Sequence, residues 1–276
     1  MKISVLSGLG LAALVSASAL AADMPATPPV YRVVDAVWCW TGPYLGGNAG
    51  ETWARSDIGV APSQRWLSSG VASDAAGAAI NFNDGPDRLS SSGFTGGLQA
   101  GVNVQRGAAV YGLEADIDYA GLQKSLSRGP FVNAVNGVNV SFNESTQTSW
   151  LGTFRGRLGY LVTPRVLLFA TGGFAFGDRS FSDSRTAPTT IQTYAGSVSG
   201  TKAGSTVGGG LEAYLGSNWT AKAEYLYVDL GHVTAIGLAI APVNPLYSIS
   251  YTEHLTENIV RLGVNYHFSG LAGLSY

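Results

Sequence analysis

Charge is scarce in this sequence. Asp, Glu, Lys and Arg together make up 12% of its 276 residues, about half of the share usual in a soluble domain. The formal net charge is −2 and the isoelectric point is about 5.9, so the chain offers no basic field for nucleic acid or an anionic membrane surface. Glycine, in contrast, is abundant at 37 residues. Few charges and much glycine favour β-structure whose outer surface does not face water.

Cysteine is nearly absent. The single Cys39 excludes an intramolecular disulfide, and it excludes a zinc or iron–sulfur site built from several cysteines. In an exported chain such a thiol is either free or paired with another chain. Its position between Trp38 and Trp40 predicts a small, partly buried side chain. The sequence predicts neither a cofactor nor a metal site.

Beyond the N-terminal segment there is no hydrophobic run of the length that a membrane helix needs, about 20 mainly apolar residues. The most apolar window, residues 166–176, is short and contains two glycines. Residues 1–22 are different, because Lys2 precedes the apolar stretch 3–14 and a series of small residues follows, which predicts a cleaved secretory signal. A membrane location for the mature chain therefore requires a closed β-barrel, since an open sheet leaves unpaired backbone groups in hydrocarbon.

Alternation of apolar and polar residues, the pattern typical of strands, starts at Trp40 and recurs along the chain. In residues 94–105 every even position is apolar or glycine and every odd position is polar or glycine. The proline-containing residues 23–39 precede this pattern and are predicted to be an extended periplasmic lead-in. Eight strands are predicted, near residues 40–53, 94–105, 110–119, 150–162, 166–177, 205–215, 219–229 and 255–268.

The predicted connections alternate between short and long. The short ones are residues 106–108, 163–165 and 216–218. The long ones, rich in Ser, Asn, Asp, Gly and Pro, are residues 56–92, 121–148, 178–202 and 230–252. Short turns on one rim and long loops on the other are typical of outer-membrane barrels. The sequence therefore predicts an all-β protein, an eight-stranded antiparallel transmembrane β-barrel over residues 40–268, with a C-terminal tail at residues 269–276.

A water-soluble barrel can also have eight alternating strands, and the positions of the charges distinguish the two folds. The polar faces carry a nearly balanced set of acids and bases at mid-strand: Glu114, Asp116, Arg155, Arg157, Glu212, Lys222, Glu224 and Arg261. Turning one of the bases toward lipid near the midplane would cost about 2–4 kcal/mol. We therefore predict that these side chains form a charge network inside a narrow lumen.

Aromatic residues are predicted to form two belts at the lipid interfaces, as in membrane barrels. Glu51 is expected near the outer rim, above the hydrocarbon. The belt residues are Trp40, Trp53, Phe94, Tyr119, Trp150, Tyr160, Trp219 and Tyr227.

Several segments resemble a known family. Residues 40–48 (WTGPYLGGN), residues 155–160 (RGRLGY) and residues 223–231 (AEYLYVDLG) look like those of the RopB-type outer-membrane proteins, opacity-like barrels of Gram-negative bacteria that are related in architecture to the OmpA transmembrane domain. The resemblance covers almost the whole mature chain. It implies an outer-membrane surface or structural barrel and no particular activity.

The end of the chain carries a second resemblance. Arg261, Gly263, Tyr266 and Phe268 are spaced as in the C-terminal signal that the barrel-assembly machinery reads, which implies that machinery as a partner during biogenesis. The other partners expected are outer-membrane lipid and lipopolysaccharide. We predict that the last strand ends at Phe268.

Three functional alternatives remain beside a structural role. A lipid A-modifying enzyme needs a nucleophile and a base, but His232, His254 and His267 have no serine or acid at a telling spacing, so no catalytic residue is predicted. A pore is disfavoured, because eight strands leave room only for side chains and thus for at most a weak conductance. Ligand binding by the long loops, of haem, a host surface or lipopolysaccharide, stays open.

Overall fold

The computed structural model describes residues 38–62, 87–132, 139–187, 192–241 and 244–268. Within them, eight antiparallel strands form a closed barrel in which each strand pairs with its chain neighbours and the last pairs with the first. The strands are β1 (Gly42–Pro62), β2 (Asp87–Arg106), β3 (Ala109–Val132), β4 (Asn139–Thr163), β5 (Val166–Ala187), β6 (Gln192–Gly216), β7 (Trp219–Ala241) and β8 (Asn244–His267). The predicted eight-stranded barrel is confirmed. Within the described ranges, no helix has the length and apolar character needed to span a membrane.

The three short turns lie where the sequence predicts them, and we call their side of the barrel the turn rim. The β6–β7 turn places Ser217 at φ 49° and Asn218 at φ 69°, two consecutive left-handed residues as in the hairpin turns that match strand twist. The connections at the opposite, far rim lie in residues 63–86, 133–138, 188–191 and 242–243, outside the described residues. The predicted signal, most of the lead-in and the tail also lie outside them.

The strands are longer than predicted, at 20 to 25 residues, whereas a tilted strand crosses a bilayer with about 9–11. Most of three segments predicted as long loops, residues 121–148, 178–202 and 230–252, is therefore strand, as are both ends of the fourth, residues 56–92, and that prediction is wrong. In β5, for example, outward Ser180 and Ser182 alternate with buried Arg179, Phe181 and Asp183. The hydroxyl-rich composition resembles that of loops, but its period of two is that of a strand.

The two faces of the barrel wall have inverted polarity relative to a soluble protein. Large apolar side chains cover the outside, where Leu98, Ile117 and Leu262 are 60 to 68% exposed. Arginines lie inside, with Arg155 and Arg261 at most 1% exposed. Such an apolar outer surface belongs in lipid, and the water-soluble alternative is excluded.

Apolar clusters in the lumen alternate with charged layers. A turn-side cluster consists of Trp40, Val110, Leu167 and Phe169. A middle cluster consists of Ala54, Ala120, Leu122, Leu151, Ala175, Leu226, Val228, Leu230, Leu255 and Ile259. A far-side cluster consists of Ile58, Leu89, Phe181, Tyr194, Ala235, Ile249 and Tyr251.

Strand β8 shows the order of these layers along the barrel axis. From the turn rim toward the far rim, its buried residues are His267, Asn265, Gly263, Arg261, Ile259, Glu257, Leu255, Glu253, Tyr251 and Ile249. The polar layer around Arg261 is thus separated from the polar layer around Glu253 by the middle cluster. The interior is a filled, layered core.

Candidate functional site

The predicted charge network lies in the lumen, between the turn-side and middle clusters. All eight predicted residues are at most 7% exposed, and Asp118 joins them at 1%. The strand register brings opposite charges face to face, because Glu114 pairs with Arg155, Glu212 with Lys222, and Glu224 with Arg261. Directly opposed residues on one face of a sheet are close enough to interact, so the ladder itself assembles the network.

Arg155 is the centre of this network. Its Nη2 lies 2.5 Å from Glu114 Oε1 and 2.6 Å from Asp116 Oδ2, and its Nη1 lies 2.7 Å from Glu224 Oε1. The same Nη1 donates a 3.2 Å hydrogen bond to Thr171. One guanidinium therefore connects three carboxylates on β3 and β7 across the lumen.

Arg261 is a second centre and shares two of those carboxylates. Its Nη1 lies 2.5 Å from Asp118 Oδ2, its Nη2 lies 2.9 Å from Asp116 Oδ2, and its Nε donates to Glu224 Oε2 over 2.9 Å. Asp116 and Glu224 are thereby each held by two guanidiniums. Removing one partner from such a buried group costs about 3–5 kcal/mol.

The remaining bases join the network to the turn-side cluster. Arg157 forms an ion pair with Glu212 and its guanidinium carbon lies 3.9 Å from the centroid of the Phe169 ring. Lys222 Nζ lies 2.8 Å from Glu114 Oε1, and Tyr44 donates a 2.6 Å hydrogen bond to Glu114 Oε2. The packed aromatic and paired charges leave the lumen filled at this level.

Trp40 does not belong to the aromatic belts, contrary to the prediction. It is fully buried, its backbone N–H donates to Gln105 Oε1 over 2.9 Å, and its Nε1 donates to Pro164 O over 3.4 Å. Gly42, at φ +135°, starts the first strand only after Trp40, so strand alternation does not govern this side chain. Within the described residues, Trp38 and Trp40 before β1 thus enter the mouth of the barrel at the turn rim.

The neighbours of Trp40 complete this contact in the mouth. The Trp38 ring stacks on Tyr214 with a centroid distance of 4.1 Å and meets His267 edge-on at 5.3 Å. Cys39 between the two tryptophans is exposed, so the prediction of a partly buried thiol is wrong. Because both flanking indoles pack into the barrel, the small side chain between them remains outside.

The other predicted belt residues point outward. Phe94, Tyr119 and Tyr160 are 61 to 62% exposed, and Trp53, Trp219 and Tyr227 are 36 to 45% exposed. Trp150 is half-buried. Near the middle of the strands, Asn258 pairs with both Trp53 and Tyr227, which places these two aromatics at one level. The stretch of β1 from Gly42 to Trp53 has the length that crosses the hydrocarbon layer.

The four predicted assembly-signal residues have different surroundings. Arg261 lies in the lumenal network and Gly263 is buried. Tyr266 meets Trp219 and Phe268 edge-on, both at 5.2 Å, on the outside. Strand β8 ends at His267, one residue before the predicted end, and Phe268 continues the ladder with a 2.9 Å N–H···O hydrogen bond to Pro43.

A second group of buried charges, in the far half of the lumen, was missed by sequence reasoning. Arg179 Nη2 lies 2.6 Å from Glu253 Oε2, and Ser56 also contacts Glu253. Glu257 is fully buried and neither of its oxygens has a hydrogen bond, and the same is true of Nε and Nη1 of Arg179. Arg185 lies 3.3 Å from Asp183. These residues were missed because most of them fall in segments predicted as loops. In β5 and β8 they all occupy odd-numbered positions, and this period of two is a detectable strand signal.

Two of the three histidines meet on the outside of the barrel. The rings of His232 and His254 stack with a centroid distance of 4.3 Å and an angle of 8°, and His254 Nε2 lies 3.0 Å from Asp229 Oδ1. Although partial burial opposes it, hydrogen bonds from Gly231 N–H and His254 hold the pKa of Asp229 below its usual value. This acid was not identified in the sequence. Throughout the described ranges, no three His, Cys, Asp or Glu residues are grouped to hold a metal.

The outward wall beyond Trp53 carries two further features. Asp57 lies 2.7 Å from Arg88 Nε and 3.4 Å from Arg55 Nε, and the hydrogen bond from Arg88 lowers the pKa of Asp57. On the opposite side, an open groove of about 380 Å³ runs over β3 to β6. It is lined mainly by small polar residues: Ser125, Ser127, Asn143, Glu144, Ser145, Ser182, Asp183, Ser184, Ala195, Gly196 and Ser197.

The geometry agrees with the comparison to protein families. Residues 7–268 match the family described as the outer membrane protein beta-barrel domain. The chain belongs to this family. Its location is therefore the outer membrane, and the resemblance drawn from the sequence is confirmed.

Individual relatives support the same family. The 31 kDa outer-membrane immunogenic protein of Brucella melitensis is 31% identical over 97% of this chain and 100% of its own length. The 22 kDa outer membrane protein of Rhizobium leguminosarum bv. viciae is 33% identical over 64% of this chain and 67% of its own length. Among solved structures, the outer membrane protease OmpT of Escherichia coli has 11% identity and a TM-score of 0.45, over 82% of this chain and 97% of that one. That low structural similarity carries no argument about activity.

Proposed function

We propose that this protein is a sealed, non-enzymatic barrel with a structural and surface role in the cell envelope. The observation that carries the proposal is the filled lumen, in which the charge network lies between two apolar clusters. Moving an ion through an apolar layer costs many kcal/mol when no polar group replaces its water. The middle cluster is such a layer. Any pore activity is therefore expected to be weak.

Conductance in planar bilayers tests the sealed lumen. The purified, folded protein is expected to give no steady channel at 1 M KCl, whereas a general-diffusion porin inserted in the same way serves as the positive control. The conductance of the Leu255→Ser variant, changed within the middle cluster, is compared with that of the matched Leu262→Ser variant, changed on the outer wall. Stable, uniform conductance steps from the wild-type barrel would refute the proposal.

The absence of catalysis is part of the same proposal, and the arrangement of the histidines supports it. His267 is enclosed by Trp38, Trp40 and Tyr44. His254 and Asp229 form a base with an orienting acid. Covalent catalysis also requires a nucleophile within hydrogen-bond reach of the base, whereas the ring of His254 stacks on His232 on the outer wall. Mass spectrometry of lipid A from cells with and without the gene provides the test. Lipid A modification that disappears in a His254→Ala strain would establish an enzyme.

Surface ligand binding is a second candidate, favoured by the groove over β3 to β6. Its serines and Asn143 offer both hydrogen-bond donors and acceptors, which suit an uncharged, hydroxyl-bearing ligand. Binding of purified O-polysaccharide from the same cells is measured by calorimetry. The double variant Ser145→Leu and Ser182→Leu, which fills the groove, is expected to lose binding, while Ser205→Leu serves as the control outside it. Equal binding by both variants would reject this candidate.

The barrel-assembly machinery is proposed as the partner during biogenesis. Support comes from the C-terminal resemblance and from the outward aromatic pair Tyr266 and Phe268, which lies beside Trp219 at the turn rim. Phe268→Ala is expected to lower the amount of heat-modifiable, folded barrel in the outer membrane several-fold. Refolding of the same variant in detergent is the control, since a defect in both settings would indicate lost stability and argue against recognition.

A further inference from the structure

The outward wall near the far rim carries a pair of arginines held by one carboxylate. Asp57 faces Arg88 across the β1–β2 ladder, and Arg55 precedes it by two residues on the same face of β1. Both guanidiniums use their Nε toward Asp57, at 2.7 Å and 3.4 Å. The three side chains are 44 to 59% exposed. The arrangement is an outward-facing site of net charge +1.

The geometry leaves the binding edges of both arginines available. Among the described residues, the Nη nitrogens of Arg55 and Arg88 have no hydrogen bond or ion pair, because Asp57 engages only the Nε of each. A guanidinium presents its paired N–H groups in a planar fork that matches the oxygens of a phosphate. Two forks fixed on one carboxylate are thus pre-arranged for a doubly charged oxyanion. The carboxylate of Asp57 orients both arginines, and its negative charge cancels one of their two positive charges.

The height of this site is set by the strand. Trp53 is predicted to lie in the outer aromatic belt, and Arg55 and Asp57 follow it by two and four residues on β1. At about 3.3 Å per residue and a tilt of about 45°, the two residues stand about 5 and 9 Å beyond the belt. A polar headgroup region is about 5–8 Å thick on each side of the bilayer. Arg55 is therefore expected within the headgroup region, where the phosphate groups of the outer leaflet lie, and Asp57 and Arg88 at its outer edge.

We propose that Arg55 and Arg88, held by Asp57, form a binding site for a phosphate group of the outer-leaflet glycolipid, lipopolysaccharide. The three residues of the site lie on β1 and β2, within the described ranges of the barrel wall. This proposal rests on the outer-membrane location of the family and not on the sealed lumen. A barrel that conducts ions would refute the sealed lumen and leave the phosphate site untouched. Free inorganic phosphate offers the same chemistry, but a site at the headgroup level favours the lipid.

The test compares lipids that differ only in phosphate. Wild-type protein in detergent is titrated with bis-phosphorylated lipid A, with the same lipid A after removal of both phosphates, and with sodium phosphate alone, and native mass spectrometry measures binding. The wild type is expected to prefer the phosphorylated lipid by about tenfold in Kd, equivalent to about 1.4 kcal/mol. The double variant Arg55→Gln and Arg88→Gln is expected to lose that preference.

A matched control removes the same charge from the other rim. Arg106 and Arg165 are exposed residues at the turn rim, and the double variant Arg106→Gln and Arg165→Gln is expected to keep the tenfold preference. Heat-modifiable gel migration verifies that all variants are folded. The proposal is overturned if the wild type binds both lipids equally, if the Arg55/Arg88 variant keeps the preference, or if the control loses it. Displacement of the lipid by millimolar phosphate would assign the site to the free ion and overturn the lipid assignment.

Discussion

The two polar layers of the lumen differ in how completely their charges are paired. In the layer near the turn rim, Arg155 and Arg261 each contact three carboxylates. Single atoms of that layer, such as Arg155 Nε and Asp116 Oδ1, lack a hydrogen bond, but in the far layer the whole carboxylate of Glu257 is buried without one. We infer that a buried charge inside the barrel is tolerated best where the strand register supplies it with partners. Four predictions test this comparison, in order of decreasing effect.

The largest effect is expected from Arg155→Met. The substitution leaves Glu114, Asp116 and Glu224 with one base fewer in a buried layer, and it should lower the free energy of unfolding by about 3–5 kcal/mol. Urea titration of the barrel in lipid vesicles, followed by gel migration, measures the change. Arg106→Met at the exposed turn rim is the control and should have little effect. A loss below 1 kcal/mol for Arg155→Met would show that the network contributes little.

Trp40→Ala should disrupt the turn-side cluster, which lies between the turn rim and the charge network. The indole is fully buried against Phe169 and its neighbours, and truncating a buried Trp costs about 3–5 kcal/mol. Because Trp40 lies at the mouth of the barrel, water can fill the space that the removed indole leaves. The lower end of that range is therefore expected. Cys39→Ser changes the exposed neighbouring residue and should leave stability unchanged. Equal stability of both variants would place Trp40 outside the folded core.

Glu257→Leu should have the opposite sign. Its carboxylate lacks hydrogen bonds and lies between Leu255 and Ile259 of the middle cluster along β8, and an unpaired buried polar group costs about 1–3 kcal/mol. The variant is expected to gain about 1 kcal/mol, at the low end of that range, in the same urea titration. Glu224→Leu, taken from the paired layer, should instead lose about 3 kcal/mol. If both glutamates behave alike, the comparison between the two layers fails.

The smallest effect on stability is expected at the outward arginine pair. Asp57→Asn should change the free energy of unfolding by less than about 0.5 kcal/mol, since exposed ion pairs contribute little. The sign of the pH dependence follows from the lowered pKa of Asp57: its small contribution is present above the unfolded pKa and is lost as pH falls through the folded pKa. Urea titrations at pH 7 and pH 3 measure both. A loss of several kcal/mol at pH 7 would mean that the pair is structural.

Local patterns in the sequence predicted much of the fold, but not its full extent. The period of two placed Arg155, Glu224 and Arg261 on the inner face correctly, because a strand turns successive side chains to opposite sides whatever its partners are. Composition masked the same period in residues 178–187, where Ser and Asp suggested a loop. The strand continues there because the side chains of Phe181 and Arg185 are still buried in the lumen at that level.

The sites are less predictable than the strands because they depend on contacts between distant segments. Asp229 and His254 are 25 residues apart, and His232 meets His254 only through a register shift between β7 and β8. Arg88 faces Asp57 across the β1–β2 ladder, whose two strands are separated in the sequence by residues 63–86. No short-range signal specifies these pairings.

By itself, the sequence determined which face of the wall a strand residue occupies: alternation separated an apolar outer wall from a charged interior, and three tight turns located the short hairpin connections. Only the tertiary structure decided how far the strands continue beyond the bilayer, that Trp40 enters the mouth, and which acid holds which base. The physical reason is that side-chain direction is a local property of the backbone, whereas pairing depends on register and on closure of the ring.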